Sequence, residues 1–424
     1  MSYIKFNSKQ FKMKNLQITL KPLIFLLAIS ISVTNCSSDD SVEQDPSSDN
    51  LPPIELDCDY FSSGNIHLEN VPGAPVDYII SCDPKIKGDI LIDAGVVIAF
   101  EKNAGLQFID DANYKIEMNG TAQDPIILTG TEKVKGHWRG LLMTSDNPSN
   151  VMQYVTVEYA GQIRPGGWNY IGAVIGSWGA VMNFESCNIQ DSQEIGLHWV
   201  GYASTLNISN STFTRNDVPI VTNPNFINSI DETSTYQGNE NDYIRLELAD
   251  VNKDITFHSI DVPFFSNGFK PKNDATRKFT FEPGVTLMMD AGSEILISNS
   301  THQHAAVMVG TANSRITIKG KESVPGYWNG INIQSDSPLN EIGYLDISDA
   351  GDPLGYPNGA IKLGYNDYLN IHDVNFINCT EYGMSINYYY GYNFHLEYNN
   401  LTLDNTPKLF SDWQGAEVAD PFNP

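Results

Sequence analysis

The chain has 424 residues, of which 41% are hydrophobic and 18% are charged. Acidic residues outnumber basic residues by 51 to 25, which gives a formal net charge of −26. A surface this acidic repels nucleic acids and polyanionic glycans, because both require clustered basic groups for binding. We therefore predict no nucleic-acid partner, while neutral glycans, cationic partners and divalent cations stay compatible with the charge.

Residues 1–36 are predicted to be a lipoprotein signal peptide. Five lysines precede an apolar run from Leu23 to Val33, which is too short to span a bilayer comfortably and has the flanks of an export signal. The run ends at Val33-Thr34-Asn35-Cys36, which resembles the lipobox of bacterial lipoproteins. This resemblance implies a lipid anchor at Cys36, and an ordinary signal peptide with a stray cysteine is the alternative.

Residues 37–59 are predicted to be an acidic tether. They contain eight acidic residues and no basic one, and such a segment cannot bury a core. Ser37-Ser38-Asp39-Asp40 resembles the export tag of Bacteroidetes-type lipoproteins, which implies a lipid-anchored location on the exposed face of the outer membrane; a generic acidic linker is the alternative. Without residues 1–35 the chain keeps 20 basic and 51 acidic residues, a formal charge of −31.

The cysteines indicate an oxidising compartment. Cys58 and Cys82 flank a short segment at the start of the folded part, and we predict a disulfide between them. Cys187 and Cys379 lie in apolar strand-like contexts and are predicted to be buried. The sequence contains no CxxC, HExxH, Walker or dinucleotide motif. We predict no metal site and no cofactor; Ca²⁺ would suit the charge, but no ligand set is identifiable.

From about residue 60 the sequence consists of short apolar runs separated by Gly, Asn, Asp and Pro, which predicts many short strands. The segment 186–189 is echoed by 210–213, about 24 residues later, and the segment 374–378 is echoed by 400–403. A period of about 22 to 27 residues predicts a right-handed parallel β-helix with three strands per coil and ladders of Asn or Ser at the bends. A β-sandwich is the main alternative.

A longer repeat spans residues 120–161 and 310–351 at a constant spacing of 190 residues. Gly136, Trp138 and Gly140 return as Gly326, Trp328 and Gly330, and we predict that both tryptophans belong to the scaffold. The all-β fold is thus predicted to contain two tandem copies, residues 60–230 and residues 231–424, the second ending in a C-terminal cap. A single continuous body is favoured over two shorter helices because exposed coil ends invite aggregation.

Three motifs carry a family resemblance over residues 75–405. They are Glu282-Pro283-Gly284-Val285, the Trp-x-Gly motif at Trp138, and Val155-Thr156-Val157-Glu158-Tyr159-Ala160-Gly161. They resemble segments of Bacteroidetes-type surface lipoproteins with a β-helix fold. The pectate-lyase-like superfamily shares this fold and includes lyases, hydrolases and pure binders, so the resemblance implies architecture and not chemistry.

Residues present in only one copy are the catalytic candidates. The first copy has His137, Arg139, Glu158 and His198, where the second copy has Tyr327, Asn329, Ser348 and Ser385. Stacked strands lie about 4.8 Å apart, so distant positions can share one face. A carboxylate, an arginine and histidines on one groove would suit glycan chemistry, although a second carboxylate for a hydrolase is not identifiable. A solvated face with a Glu–Arg pair is the alternative.

Aromatic residues in Gly-rich or Tyr-rich segments are the ligand-binding candidates, because sugar rings stack on aromatic planes. They are Trp168, Tyr170, Trp199, Tyr388, Tyr389, Tyr390 and Tyr392. A packed loop or a protein contact would explain the same residues.

The leading hypothesis is a non-enzymatic surface lipoprotein that binds extracellular glycan or protein through a face of the β-helix and contacts the membrane through its lipid anchor. The alternative is a polysaccharide lyase or glycoside hydrolase of the pectate-lyase-like fold. A third hypothesis is a purely structural spacer at the cell surface.

Overall fold

The computed structural model describes residues 51–419, except residues 63, 110–112, 165–170, 202, 299–302, 353, 356, 365–366 and 388–394. The described residues form a parallel β-solenoid of about 12 turns. Two short 3-10 helices, Tyr60–Ser62 and Pro224–Ser229, accompany the strands. The predicted parallel β-helix class is therefore confirmed, and the β-sandwich alternative is wrong.

Each strand is short, because the chain must turn three times in every coil. The first strands are β1 (Ile54–Leu56), β2 (Ile66–Leu68), β3 (Tyr78–Ile80), β4 (Ile90–Ile92), β5 (Val97–Phe100), β6 (Leu106–Phe108), β7 (Ile116–Asn119), β8 (Ile126–Gly130), β9 (Leu141–Met143), β10 (Val151–Gln153), β11 (Val155–Glu158), β12 (Val174–Gly176), β13 (Val181–Glu185), β14 (Asn188–Gln190), β15 (Ile195–Trp199), β16 (Thr205–Ser209), β17 (Thr212–Thr214) and β18 (Val218–Thr222). The later strands are β19 (Ile244–Leu246), β20 (Asp250–Val251), β21 (Ile255–Phe257), β22 (Phe264–Ser266), β23 (Lys270–Pro271), β24 (Lys278–Phe281), β25 (Thr286–Met289), β26 (Ile295–Ser298), β27 (Ala305–Val309), β28 (Ile316–Gly320), β29 (Ile331–Gln334), β30 (Glu341–Ser348), β31 (Gly359–Leu363), β32 (Tyr368–Ile377), β33 (Tyr382–Ile386), β34 (His395–Asp404) and β35 (Lys408–Asp412).

Three faces form the first half of the solenoid. Face A contains β1, β3, β5, β8, β11, β14 and β17; face B contains β2, β4, β7, β10, β13 and β16; face C contains β6, β9, β12, β15 and β18. Asn188 pairs with Thr212, 24 residues later, and Val374 pairs with Leu401, 27 residues later. Both pairs match the predicted period. Other coils are longer, since Glu117 pairs with Val151.

The two sequence copies stack into one body. Residues 48–424 form a single compact unit, and the ladder of face C continues through β19, β22, β25 and β28. The predicted boundary at residue 230 is therefore no break in the structure. The strands β25 and β28 are the counterparts, at the 190-residue spacing, of β5 and β8, which belong to face A. The second copy is thus turned by one face relative to the first.

A new face begins where face A ends. The pair β20–β23 starts it, and face D then consists of β26, β29, β31, β33 and β35. A bridge between Phe269, just before β23, and Ile295 joins the two parts. The last strand, β35, extends face D, and the ring of its Phe410 lies 5.2 Å from the ring of Tyr398. Face D thus continues to the end of the described chain.

The core consists of inward side chains that stack coil over coil. Trp138 and Trp328 are fully buried, and each indole Nε1 donates a hydrogen bond of 2.8 Å, to the carbonyl oxygens of Glu158 and Ser348 respectively. The 190-residue spacing thus places the same contact twice. Both tryptophans are scaffold residues, as predicted.

Polar ladders fix the corners. Asp349, Asn378 and Asn405 have φ values of 62°, 52° and 49°, the left-handed region that Asn and Asp tolerate better than most residues. Asn378 Nδ2 donates to Asp349 Oδ1 at 2.8 Å, and Asn405 Nδ2 donates to Asn378 Oδ1 at 2.6 Å. The predicted ladder of bend residues is confirmed.

Cysteines have a structural role in the described part of the chain. Cys58 and Cys82 form a disulfide with a Cα–Cα distance of 6.0 Å, as predicted. Their separation of 24 residues equals the offset between Ile54 and its partner Tyr78, so the disulfide joins the first coil to the second. Cys187 and Cys379 are free and buried. None of the described helices has the length and apolarity to cross a membrane.

We predict that Trp138→Ala lowers the free energy of unfolding by about 3–5 kcal/mol, because it leaves a cavity under the stacked coils and removes a buried hydrogen bond. Urea denaturation followed by circular dichroism measures the change. The control is Trp178→Ala, whose side chain is 62% exposed and which should cost less than about 1 kcal/mol. Equal losses in the two variants would contradict the scaffold role of Trp138.

Candidate functional site

Glu158, the first catalytic candidate, is an ionised member of a polar ladder on face A. Its Oε1 accepts hydrogen bonds from Thr129 Oγ1 (2.8 Å) and Lys133 Nζ (3.0 Å), and its Oε2 accepts one from Gln190 Nε2 (3.0 Å). Burial alone would raise the pKa of Glu158, but these hydrogen bonds outweigh it and the pKa is lowered. A general acid needs a raised pKa, so this environment favours a structural carboxylate.

Arg139, the second candidate, belongs to an ion-pair cluster with Asp83 and Arg164. Arg139 Nη1 lies 3.2 Å from Asp83 Oδ2, and Arg164 Nε lies 3.2 Å from the same oxygen. Arg164 Nη2 also donates to the carbonyl oxygen of Gly140 at 2.7 Å. The side chains of Asp83 and Arg164 are 9% and 8% exposed. A cluster this enclosed ties together distant coils and presents little surface to a substrate.

The two histidine candidates are buried at separate places. His137 is 6% exposed, and its Nε2 lies 2.9 Å from Thr131 Oγ1. His198 is 7% exposed on β15, and burial lowers its pKa, which favours the neutral imidazole. Among the described residues, the side-chain hydrogen bonds and ion pairs of Glu158, Arg139 and His137 share no partner. The prediction that these residues share one groove is therefore wrong.

Trp199, an aromatic candidate, belongs to the core. Its side chain is fully buried, its ring lies edge-on to Phe184 with centroids 6.1 Å apart, and it occupies the space beside Gly176. Its prediction as a ligand-binding residue is wrong, because the strand alternation points it inward. The other aromatic candidates, Trp168, Tyr170, Tyr388, Tyr389, Tyr390 and Tyr392, lie outside the described residues, as does the lipidation candidate Cys36.

An open cavity of about 920 Å³ lies where face D begins; we call it the junction groove. Five successive coils line it, with one segment each around Gly201, Asn225, Asp250, Lys270 and Glu294. Contacts between neighbouring coils connect these segments, including the pairing of Asp250 with Lys270. At about 4.8 Å per coil, the groove extends about 20 Å along the solenoid axis. This length suits an extended ligand.

The groove combines balanced charge with amide groups. Three lysines and three carboxylates line it, so its formal charge is zero in a chain with a net charge of −26: Lys253, Lys270, Lys272, Glu247, Asp250 and Glu294. The amides come from Asn223, Asn225, Asn252 and Asn267. Such donors and acceptors match hydroxyl-rich ligands. The balanced charge removes the repulsion that the rest of the surface exerts on anionic groups.

Trp178 lies next to the groove and is exposed. Gly176 pairs with Trp199, which places Trp178 beside Gly201, one coil before the groove begins. The indole is 62% exposed, and its φ of 48° is uncommon for a bulky residue. Such a conformation costs on the order of 1–3 kcal/mol and is characteristic of functional sites. Leu248, which lines the groove, is 70% exposed. Aromatic and aliphatic surface therefore accompanies the amides.

Sequence reasoning missed Trp178 because it followed the Gly-rich insertion and the differences between the copies. A signal was present, since Ser177-Trp178-Gly179 places a tryptophan between small residues directly after a strand.

No family model, curated protein or solved structure matches this chain. The resemblance to Bacteroidetes-type lipoproteins therefore stays a prediction, and the chemistry of the groove carries the functional interpretation.

We predict that Glu158→Gln destabilises the fold only where the carboxylate is ionised. Its pKa in the folded chain lies below the ordinary value of 4.5, so the stabilisation is present above pH 4.5 and is lost as the pH falls through the folded pKa. Denaturation at pH 7 should show a loss of about 1 kcal/mol, which should vanish near pH 3. The control is Glu132→Gln, whose side chain is 74% exposed. An equal loss at both pH values would contradict this role.

Proposed function

We propose that the protein is a non-enzymatic surface lipoprotein that binds an extracellular glycan in the junction groove. The observation that carries the proposal is the exposed Trp178 at the end of a groove lined by amides. An indole plane offers the apolar stacking surface that the C–H face of a sugar requires, and neighbouring amides hydrogen-bond its hydroxyl groups. The open, elongated shape favours a linear oligosaccharide over a compact small molecule.

The proposed location follows from the N-terminal sequence. A lipid anchor at Cys36 and the acidic segment 37–59 would hold the solenoid outside the outer membrane of a Bacteroidetes-type cell. The Cys58–Cys82 disulfide supports export from the cytoplasm, because such bonds persist in oxidising compartments. In this arrangement the protein contacts the membrane through its lipid and contacts glycan through the solenoid.

The lyase or hydrolase alternative receives no support from the described contacts. Glu158 is a stabilised carboxylate, Arg139 is paired with Asp83, and neither of them lines the junction groove. Glycan binding without turnover accounts better for a groove whose carboxylates lie beside lysines and amides.

A glycan array and a polysaccharide panel, read for binding and for new reducing or unsaturated ends, test the proposal. We expect binding without product, and we expect Trp178→Ala to weaken it at least tenfold, since about 1.4 kcal/mol of stacking is lost. The control is Leu339→Ala, which removes another exposed apolar side chain (60%) outside the groove.

Three outcomes would contradict the proposal. Product formation would make the protein an enzyme. Binding that is unaffected by Trp178→Ala would place the ligand elsewhere. Binding of a protein ligand and no glycan would replace the ligand class.

A further inference from the structure

We infer that the junction groove selects glycans that carry isolated carboxylates, and that Lys253 binds the carboxylate. This inference rests on the proposed function and names the substrate class of the same groove. It begins from the three groove lysines, which differ in their partners.

Two of the groove lysines already have carboxylate partners. Lys270 Nζ lies 3.7 Å from Asp250 Oδ1, and Lys272 Nζ lies 2.8 Å from Asp274 Oδ2. Lys253 differs, because its Nζ lies 5.6 Å from the centroid of the Phe226 ring and forms no ion pair with any described carboxylate. Desolvation alone lowers the pKa of Lys253, which indicates that no counter-charge offsets it. An anionic ligand group would supply that counter-charge.

The position of Lys253 is held from both sides of the groove. Asn225 Nδ2 donates to the carbonyl oxygen of Asp250 at 3.1 Å, and the backbone N–H of Asn252 donates to Asn225 Oδ1 at 2.8 Å. These bonds tie the segment before Lys253 to the 3-10 helix that carries Phe226. The ammonium is therefore presented in the groove by a fixed backbone, and a carboxylate would meet it with little reorganisation.

The carboxylates in the same groove limit how many negative charges a ligand can carry. Glu294 is held by Lys362, whose Nζ lies 3.0 Å from Glu294 Oε1, and by Asn332 Nδ2 at 3.4 Å. Lys362 and Asn332 are 5% and 9% exposed, so Glu294 is fixed as an acceptor for hydroxyl groups. A second ligand carboxylate near Glu294 would be repelled, which is a repulsive element of specificity. The groove thus favours isolated carboxylates over a polyanion.

The spacing along the axis defines where the carboxylate must lie. Trp178 belongs to the coil before Gly201, and Lys253 belongs to the segment two coils after Gly201, so the two side chains lie on strands about 14 Å apart. The ligand must therefore be an oligosaccharide whose carboxylate is separated from the stacked ring by intervening sugars.

Three matched probes test this inference: a neutral hexose tetrasaccharide, the same tetrasaccharide with one hexose oxidised to its uronic acid, and the tetrasaccharide with all four oxidised. Isothermal titration with the full protein should give about tenfold tighter binding for the single acid than for the neutral probe, and the weakest binding for the full acid. The preference for the single acid should fall as the salt concentration rises.

Lys253→Gln should abolish the preference and leave binding of the neutral probe unchanged. The control is Lys319→Gln, which removes the same charge from an exposed residue outside the groove and should keep the preference. Equal binding of neutral and single-acid probes, tightest binding of the full acid, or a preference that survives Lys253→Gln would overturn the inference and leave glycan binding intact. Failure of all three probes, together with an empty glycan array, would overturn both.

Discussion

The parallel pairing of each coil with the one before it is the constraint on which the rest of this molecule depends. Every strand has its position set by a strand about one turn earlier, so the backbone must return to the same place after each turn. Asn and Asp at the corners permit that return, because they accept left-handed dihedral angles and their side chains continue the hydrogen bonding along the axis. Extra residues can enter only between strands, as between Glu117 and Val151.

The junction groove follows from how the two copies meet. A duplicated solenoid can stack without shifting its faces, but here the second copy is turned by one face, so face A ends and face D begins at the join. The loops around Asp250, Lys270 and Glu294 accompany the start of the new face. The proposed site is therefore a product of the join, and neither copy contains it alone.

The period of the sequence was sufficient to predict strand pairing. The echo between residues 186–189 and 210–213 corresponds to the pairing of Asn188 with Thr212, and the repeated Trp-x-Gly motif corresponds to two equivalent indole contacts. The turn of one face was not predictable, because it depends on which strands pair across the join. The ion-pair cluster was equally hidden, since Asp83 lies 56 and 81 residues from its two arginines.

Differences between the copies were a poor guide to a site for a physical reason. Where the first copy has Glu158 and Arg139, the second has Ser348 and Asn329, and these shorter side chains form their own local hydrogen bonds, to Asp349 Oδ2 (2.8 Å) and to the carbonyl oxygen of Gly292 (2.9 Å). Each copy satisfies the same surface positions with different partners. Residue type at these positions therefore reflects local pairing.

The disulfide between Cys58 and Cys82 has a mechanical consequence. A solenoid pulled from its end peels one coil at a time, because each coil is held mainly by its immediate neighbour. The bond spans one turn at the N-terminal end of the described chain, so a force applied there meets a covalent link between the first two coils before it reaches any hydrogen-bonded one. Peeling cannot start with the first coil alone, and the load passes directly to the body behind it.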